Sequence, residues 1–192
     1  TSLFINSLLE KNLNKLNFKN LSNLFKNNKI ILTFVALFVI FISYLLSPTF
    51  YSQIGISQKL KKELQSKFDL NFKFSKNIRY NLFPRPHFTT IDAVIFDDQN
   101  EISTISKLKI FISLDKLISL KDIELNDLIL ENANFNLNAK NYNFFTQLLN
   151  KNFVNGNLLI KNSNIFFRHL EEEVLFISKI SKMRYYYDLK EL

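Results

Sequence analysis

The stretch "DIELNDLILENANFNLNAK", residues 122–140, decides the fold class. Ile123 and Leu125, then Leu128 and Leu130, recur at every second position among Asn, Asp and Glu. A period of two belongs to a strand with one buried face, whereas a helix would repeat near 3.6. Past Glu131–Asn132 the apolar set moves to Ala133, Phe135 and Leu137. A one-residue slip swaps the faces of a strand, so this change of parity predicts a turn or bulge.

The period holds on both sides. "SKLKIFISLDK" (106–116) sets Leu108, Ile110, Ile112 and Leu114 against Lys107, Lys109 and Ser113. Upstream, Leu70, Phe72 and Phe74 share one face, followed by Ile78, Tyr80 and Leu82. Downstream, "NGNLLIKNSNIFFRHLEEEVLFIS" (155–178) reads as a Gly turn, a strand, an acidic turn and a strand. Two segments break the pattern. "YNFFTQLLNK" (142–151) predicts a short helix, and residues 52–68 place Ile56, Leu60, Leu64 and Phe68 at i+4 steps on one helical face. The expected fold is therefore mainly β: an antiparallel, half-apolar, twisted sheet with one or two short helices.

"FPRP" (83–86) interrupts two strands, Ile78–Leu82 and Phe88–Phe96. Proline lacks a donor and pushes the preceding residue to extended geometry, so the segment predicts a stiff corner. Arg85 has the planar fork that suits a phosphate, although an arginine in such a corner is more often merely solvated.

Composition excludes several classes. The chain has 192 residues, 47% of them hydrophobic and 15% aromatic, which is too apolar for a solvated disordered tail. It has no Cys, which removes disulfides and thiolate metal sites. Two glycines cannot build a Gly-rich phosphate loop, and no G-x-S-x-G occurs. His87 and His169 lack ligand spacing, and Asp97–Asp98 lies in turn chemistry, "DDQN". No catalytic, cofactor or metal residue is therefore expected. The formal charge of +8 raises the question of nucleic acid. Lysines run from Lys11 to Lys190 with no tight cluster beyond Lys59, Lys61 and Lys62, and arginines are few. An anionic membrane surface accounts for that charge, with no nucleic acid expected.

"IILTFVALFVIFISYLLSPTFY" (30–51) carries no charge, and the next charged residue is Lys59. About 20 apolar residues cross a bilayer core of about 30 Å, so these 22 predict a transmembrane helix. Tyr44 and Tyr51 sit toward one end, where amphipathic aromatics favour the interface. A signal peptide would be shorter and followed by a small-residue cleavage site. Five lysines precede the segment (Lys11, Lys15, Lys19, Lys26, Lys29) and four follow it (Lys59, Lys61, Lys62, Lys67), which tilts the positive-inside rule toward a cytoplasmic N-terminus. The Asn/Lys-rich arm, 1–29, spaces Ile5, Leu9, Leu13 and Leu16 as an amphipathic surface helix or else forms a polar tail.

This order of features resembles the N-terminal region of the AsmA-like proteins of Gram-negative bacteria. Pro84 and Pro86 stand where that family has Pro-x-Pro, and Val94–Phe96 match the strand that follows. Ile105–Leu114 match the next strand, Leu114–Leu120 a link, and Ile123–Leu137 the closing pair. "NYNFFTQLL" (141–149) is similar to the family's short helix, and the likeness covers about residues 30–192. The chain departs in its Asn-rich arm and in turns that carry Asn in place of Gly.

The resemblance implies a single-pass protein of the bacterial inner membrane, N-terminus cytoplasmic, with residues 69–192 as a periplasmic β-sheet region, an excerpt or short member. It implies an apolar β-groove that binds or conducts phospholipid toward the outer membrane. Leu108, Ile110, Ile112, Leu114, Leu128, Leu130, Phe135 and Leu137 would line the groove and Arg85 would meet a headgroup. The competing expectation is a membrane-tethered assembly factor for outer-membrane or periplasmic proteins, with an internally packed sheet and no conduit.

Overall fold

The computed structural model describes residues 29–68, 70–74, 77–97, 100–143, 146, 157–169 and 173–185. The arm before Lys29, the "DDQN" turn at 98–99, most of the 142–151 helix, Gly156 and the acidic turn at 170–172 lie outside the described residues. The chain forms two units, one ending at Tyr44 and one beginning at Leu45.

In the first unit, helix α1 begins at Lys29; it ends at Leu46, just inside the second, and a 3₁₀ turn, Ser47–Phe50, follows. None of the residues of α1 is buried. Among the described residues it is the one helix long and apolar enough to cross a membrane, counted over Lys29–Phe50. Such a helix near the N-terminus serves as a membrane anchor or a signal sequence.

In the second unit, α2 (Gln53–Phe68) precedes seven strands: β1 (Asn71–Phe74), β2 (Arg79–Asn81), β3 (His87–Asp97), β4 (Asn100–Ile112), β5 (Leu125–Leu137), β6 (Asn157–His169) and β7 (Glu173–Tyr185). They form one sheet in the order β1-β3-β4-β5-β6-β7, with β2 beside β1 along the same edge of β3. The expected antiparallel sheet needs one correction: β5 and β6 pair in parallel, so the sheet is mixed. A parallel neighbour requires a crossover instead of a hairpin, and residues 138–156 supply it.

Ile56, Leu60, Leu64 and Phe68 are the buried residues of α2, the set spaced four apart in the sequence. Fully burying one such side chain is worth about 2 kcal/mol. The Ser52 hydroxyl accepts the Gly55 N–H at 3.2 Å and so caps the first turn. A Cβ on Gly55 would lie 2.8 Å from the Leu120 Cδ2 and 2.9 Å from the Ser52 Oγ, so a larger residue there would have to displace the ends of those two side chains where α2 approaches the 3₁₀ turn Leu120–Asp122. Gln53 pins the same helix end to β2's approach: its amide donates to the Ile78 carbonyl and accepts the Ile78 N–H, both at 3.0 Å.

The sheet changes parity in β3, β4, β5 and β6 along one row. Thr90 and Ala93 are both buried although three positions apart, as are Ile105 and Leu108, Leu130 and Ala133, and Ile160 and Ser163. Asp92, Asn132 and Asn162 take the extra step at positive φ, of 53°, 55° and 47°. Asn and Asp tolerate that left-handed region better than other residues with a Cβ. In β4 the step falls at Ser106, opposite Asp92 and Asn132 in the register. Because neighbouring strands step together, pairing continues on both sides of the row. A kink leaves backbone groups in need of partners. The Ser106 hydroxyl donates to the Asn132 carbonyl at 3.1 Å, and the Ser163 hydroxyl accepts the Ala133 N–H at 3.0 Å.

The start of the sheet is tied to the last turn of α1. The Tyr80 hydroxyl donates to the Leu45 carbonyl at 2.7 Å, one of the carbonyls that a helix end leaves unpaired. Burial first, and then the neighbouring Tyr51, push the Tyr80 phenol up to about 12 from 10.0. A raised folded-state value means stability that is complete below pH 10 and is lost as pH climbs toward 12. Tyr80→Phe is expected to cost about 1 kcal/mol near neutral pH. It should also remove the part of the alkaline loss that belongs to this phenol. Denaturant titrations of both proteins across that pH range check this.

Candidate functional site: the two faces of the sheet

Paired residues share a face, so the register sorts the side chains. One inner row runs Phe88, Ile110, Leu128 and Leu158; the next runs Thr90, Leu108, Leu130 and Ile160. Beyond the kink come Ile95, Ser103, Phe135 and Ile165, and Leu137 pairs with Phe167, which pairs with Phe176.

Of the residues expected to line a groove, Leu108, Ile110, Ile112, Leu128, Leu130 and Phe135 lie on this inner face and are buried. Leu108 is 0% exposed, and α2 packs against β1 and β5. Leu137 is half-buried near the end of β5. Leu114 does not join the set: β4 stops at Ile112, and Leu114 stands exposed in the following turn. The face is sealed in its middle and opens at the far end of β6 and β7. Phe176 is 57% exposed, stacked on Phe167 with ring centroids 4.0 Å apart.

The outer face carries the charges. Lys107 and Lys109 alternate with the inner residues of β4, and the parallel crossover brings Lys161 beside Glu131. Glu131 sits 2.8 Å from Lys109 and 3.9 Å from Lys107. Partial burial pushes its carboxyl up; the Lys109 hydrogen bond and the charges of Lys109, Lys107 and Lys161 outweigh that and hold it below the usual range. With Arg79, His87 and Phe111 these lysines line an open trough of about 910 Å³. Its cations suit an anionic group better than acid–base chemistry. The sequence showed the alternation of Lys107 and Lys109; Lys161 joins them only through the crossover, which no local pattern announces.

Arg85 forms an ion pair with Asp127 at 2.5 Å and lies over the Phe111 ring, 4.6 Å from its centroid. Its guanidinium is thus already engaged by a carboxylate within the fold. His87 is buried at the start of β3, stacked on Phe111, with Nδ1 2.7 Å from the Arg85 carbonyl. A carbonyl only accepts, so this contact places the proton on Nδ1. The "FPRP" segment is the corner that the prolines predict, between β2 and β3, with a cis bond at Phe83–Pro84. Among the described residues no group of three His, Asp or Glu could hold a metal ion.

Comparison with models of known protein families finds no match, and comparison with curated proteins finds none.

Proposed function

We propose that this chain is a membrane-anchored lipid-handling protein of the AsmA-like kind. α1 holds it in the bacterial inner membrane with the arm in the cytoplasm, and its sheet lies in the periplasm. Phospholipid binds by its acyl chains to the inner face where that face opens over β6 and β7, on the path toward the outer membrane. The observation that carries this reading is the change along one face, from Leu108 at 0% exposed to Phe176 at 57%. Each methylene kept from water is worth about 0.8 kcal/mol, so a chain of about sixteen methylenes gains about 13 kcal/mol from full cover. Packing of that kind needs no catalytic residue.

The sealed middle of the face favours a second reading, a tethered factor whose sheet is simply its core and whose partners are outer-membrane or periplasmic proteins. Photo-crosslinking in living cells separates the two. A benzophenone residue at Phe176 or Ile180 is expected to capture phospholipid, and one at the outer-face Lys179 is not. Capture of protein alone at Phe176 and Ile180 would remove the lipid reading in favour of the tether. A probe at Phe38, inside α1, reports independently on the anchor.

A further inference from the structure

Apart from Ile54 on α2 and Ile91 in mid-β3, most exposed large apolar residues of the second unit lie toward the two ends of the sheet. One end carries the corner between β2 and β3 and the connection between β4 and β5, because His87 pairs with Phe111 and Ile112 with Leu125. There Phe83 is 82% exposed, Leu114 54% and Ile118 71%. These residues crown loops, where no strand pairing calls for an apolar side chain.

The same end holds the close of the apolar span. The Ser47 hydroxyl donates to the Leu117 carbonyl at 2.8 Å, and the Tyr51 hydroxyl donates to that same oxygen. Leu117 is buried, which leaves its neighbour Ile118 pointing outward. Phe50, the last residue of the span, is 85% exposed. The Ile112 N–H donates to the Pro86 carbonyl at 3.2 Å, binding the corner to the end of β4. The corner, the loop and the span's final turn are therefore braced together by hydrogen bonds within one unit.

We propose that Phe83, Leu114 and Ile118 form a rim that inserts into the lipid–water interface of the membrane holding α1. This rests on the anchor reading above. A span ending at Phe50 delivers its final turn to the interface, and residues braced to that turn reach the same depth. Aromatic and aliphatic side chains at headgroup level are the usual means by which a fold beds itself there. In the β4–β5 connection the charges nearly balance, residues 113–124 holding Asp115, Asp122 and Glu124 against Lys116 and Lys121, so apolar contact is the attraction there. Insertion is therefore expected in neutral phosphatidylcholine and is insensitive to salt.

The chain has no Trp, so single tryptophans report without background. The full chain, carrying Phe83→Trp, Ile118→Trp, Thr104→Trp or Phe38→Trp, is reconstituted in phosphatidylcholine vesicles brominated either near the headgroup or near the chain ends. Trp at 83 and at 118 is expected to lose most of its emission to headgroup-proximal bromine and little to the deep label. Trp at 38 should be quenched most by the deep label, and Trp at 104, on the exposed outer face, by neither. Quenching at 38 with none at 83 and 118 overturns the rim and leaves the anchor standing. Blue-shifted but unquenched emission at 83 and 118 would mean burial against protein, such as a second copy, and also overturns it. Quenching at 104 equal to that at 83 would mean a sheet lying flat, with no rim. An unquenched tryptophan at 38 removes the anchor reading, and the rim falls with it.

Discussion

Leu108→Ala is expected to destabilise the sheet by about 3 kcal/mol, within the 2–5 kcal/mol that removal of a buried leucine side chain costs when the site does not collapse. Phe176→Ala is expected to cost only about 1 kcal/mol, chiefly the loss of its stacking on Phe167. The residues stand on the same face, and the contrast follows from what covers them: Leu108 is fully buried, Phe176 more than half exposed. Denaturant unfolding of the full chain in detergent, followed by circular dichroism, measures both. Equal and small losses would mean that the middle of the face is not packed as core. Its leucines would then be open to lipid along their whole length, and the division into a sealed middle and an open end would be wrong.

That division bears on what a lipid could do here. A continuous trough needs side chains that stay apolar and uncovered from one end of the sheet to the other. Here α2 buries Ile56, Leu60, Leu64 and Phe68 beside the first strands. An acyl chain entering over β6 and β7 would meet packed side chains at Leu130 and Ile160. Binding at the far end needs no rearrangement of the core, whereas passage along the whole face would require α2 to move.

The period of two was enough to find the strands, and the i+4 set was enough to find α2, because both depend on one buried face. The proline corner was equally legible, since proline dictates the conformation of its own residue and the one before it. The parallel pairing of β5 and β6 was not. Strand direction is set by the route of residues 138–156, and side-chain alternation is the same in either sense. Leu114 was misplaced for a related reason: apolar alternation runs on through "ISLDK" after the ladder has ended at Ile112. Apart from Leu114, the candidate lining residues share one face of the sheet, but no pattern in the chain says whether a helix or a lipid covers that face. Phe83 and Ile118 carry no periodic signal; they acquire meaning only from the hydrogen bonds that place the loop of Ile118 beside Ser47 and Tyr51 and bind the corner after Phe83 to the end of β4.

Deleting Asn132 is expected to unfold the far half of the sheet while Asn132→Gly leaves it intact. Asn132 supplies the extra step of β5 in a row where β3, β4 and β6 each take one at Asp92, Ser106 and Asn162. Without it, one of two things must happen beyond Glu131. If β5 keeps the kink of its neighbours, Asn134 and Asn136 turn inward and Phe135 turns to solvent. If β5 straightens, Ala133, Phe135 and Leu137 stay inward but slip one residue against Ser103 and Ile165. Losing the burial of a phenylalanine costs about 2 kcal/mol, and each buried amide without partners costs a further 1–3, so the deletion should remove about 5 kcal/mol. Glycine reaches positive φ without strain and preserves the residue count, so Asn132→Gly should change stability by less than about 1 kcal/mol. Hydrogen exchange reads the outcome residue by residue: in the deletion, protection should vanish at 133–137 and 163–167 while it survives at 108–110 and 128–130. If protection persists on both sides of the row, β5 tolerates a change of parity alone, and the aligned steps of the neighbouring strands do not act together.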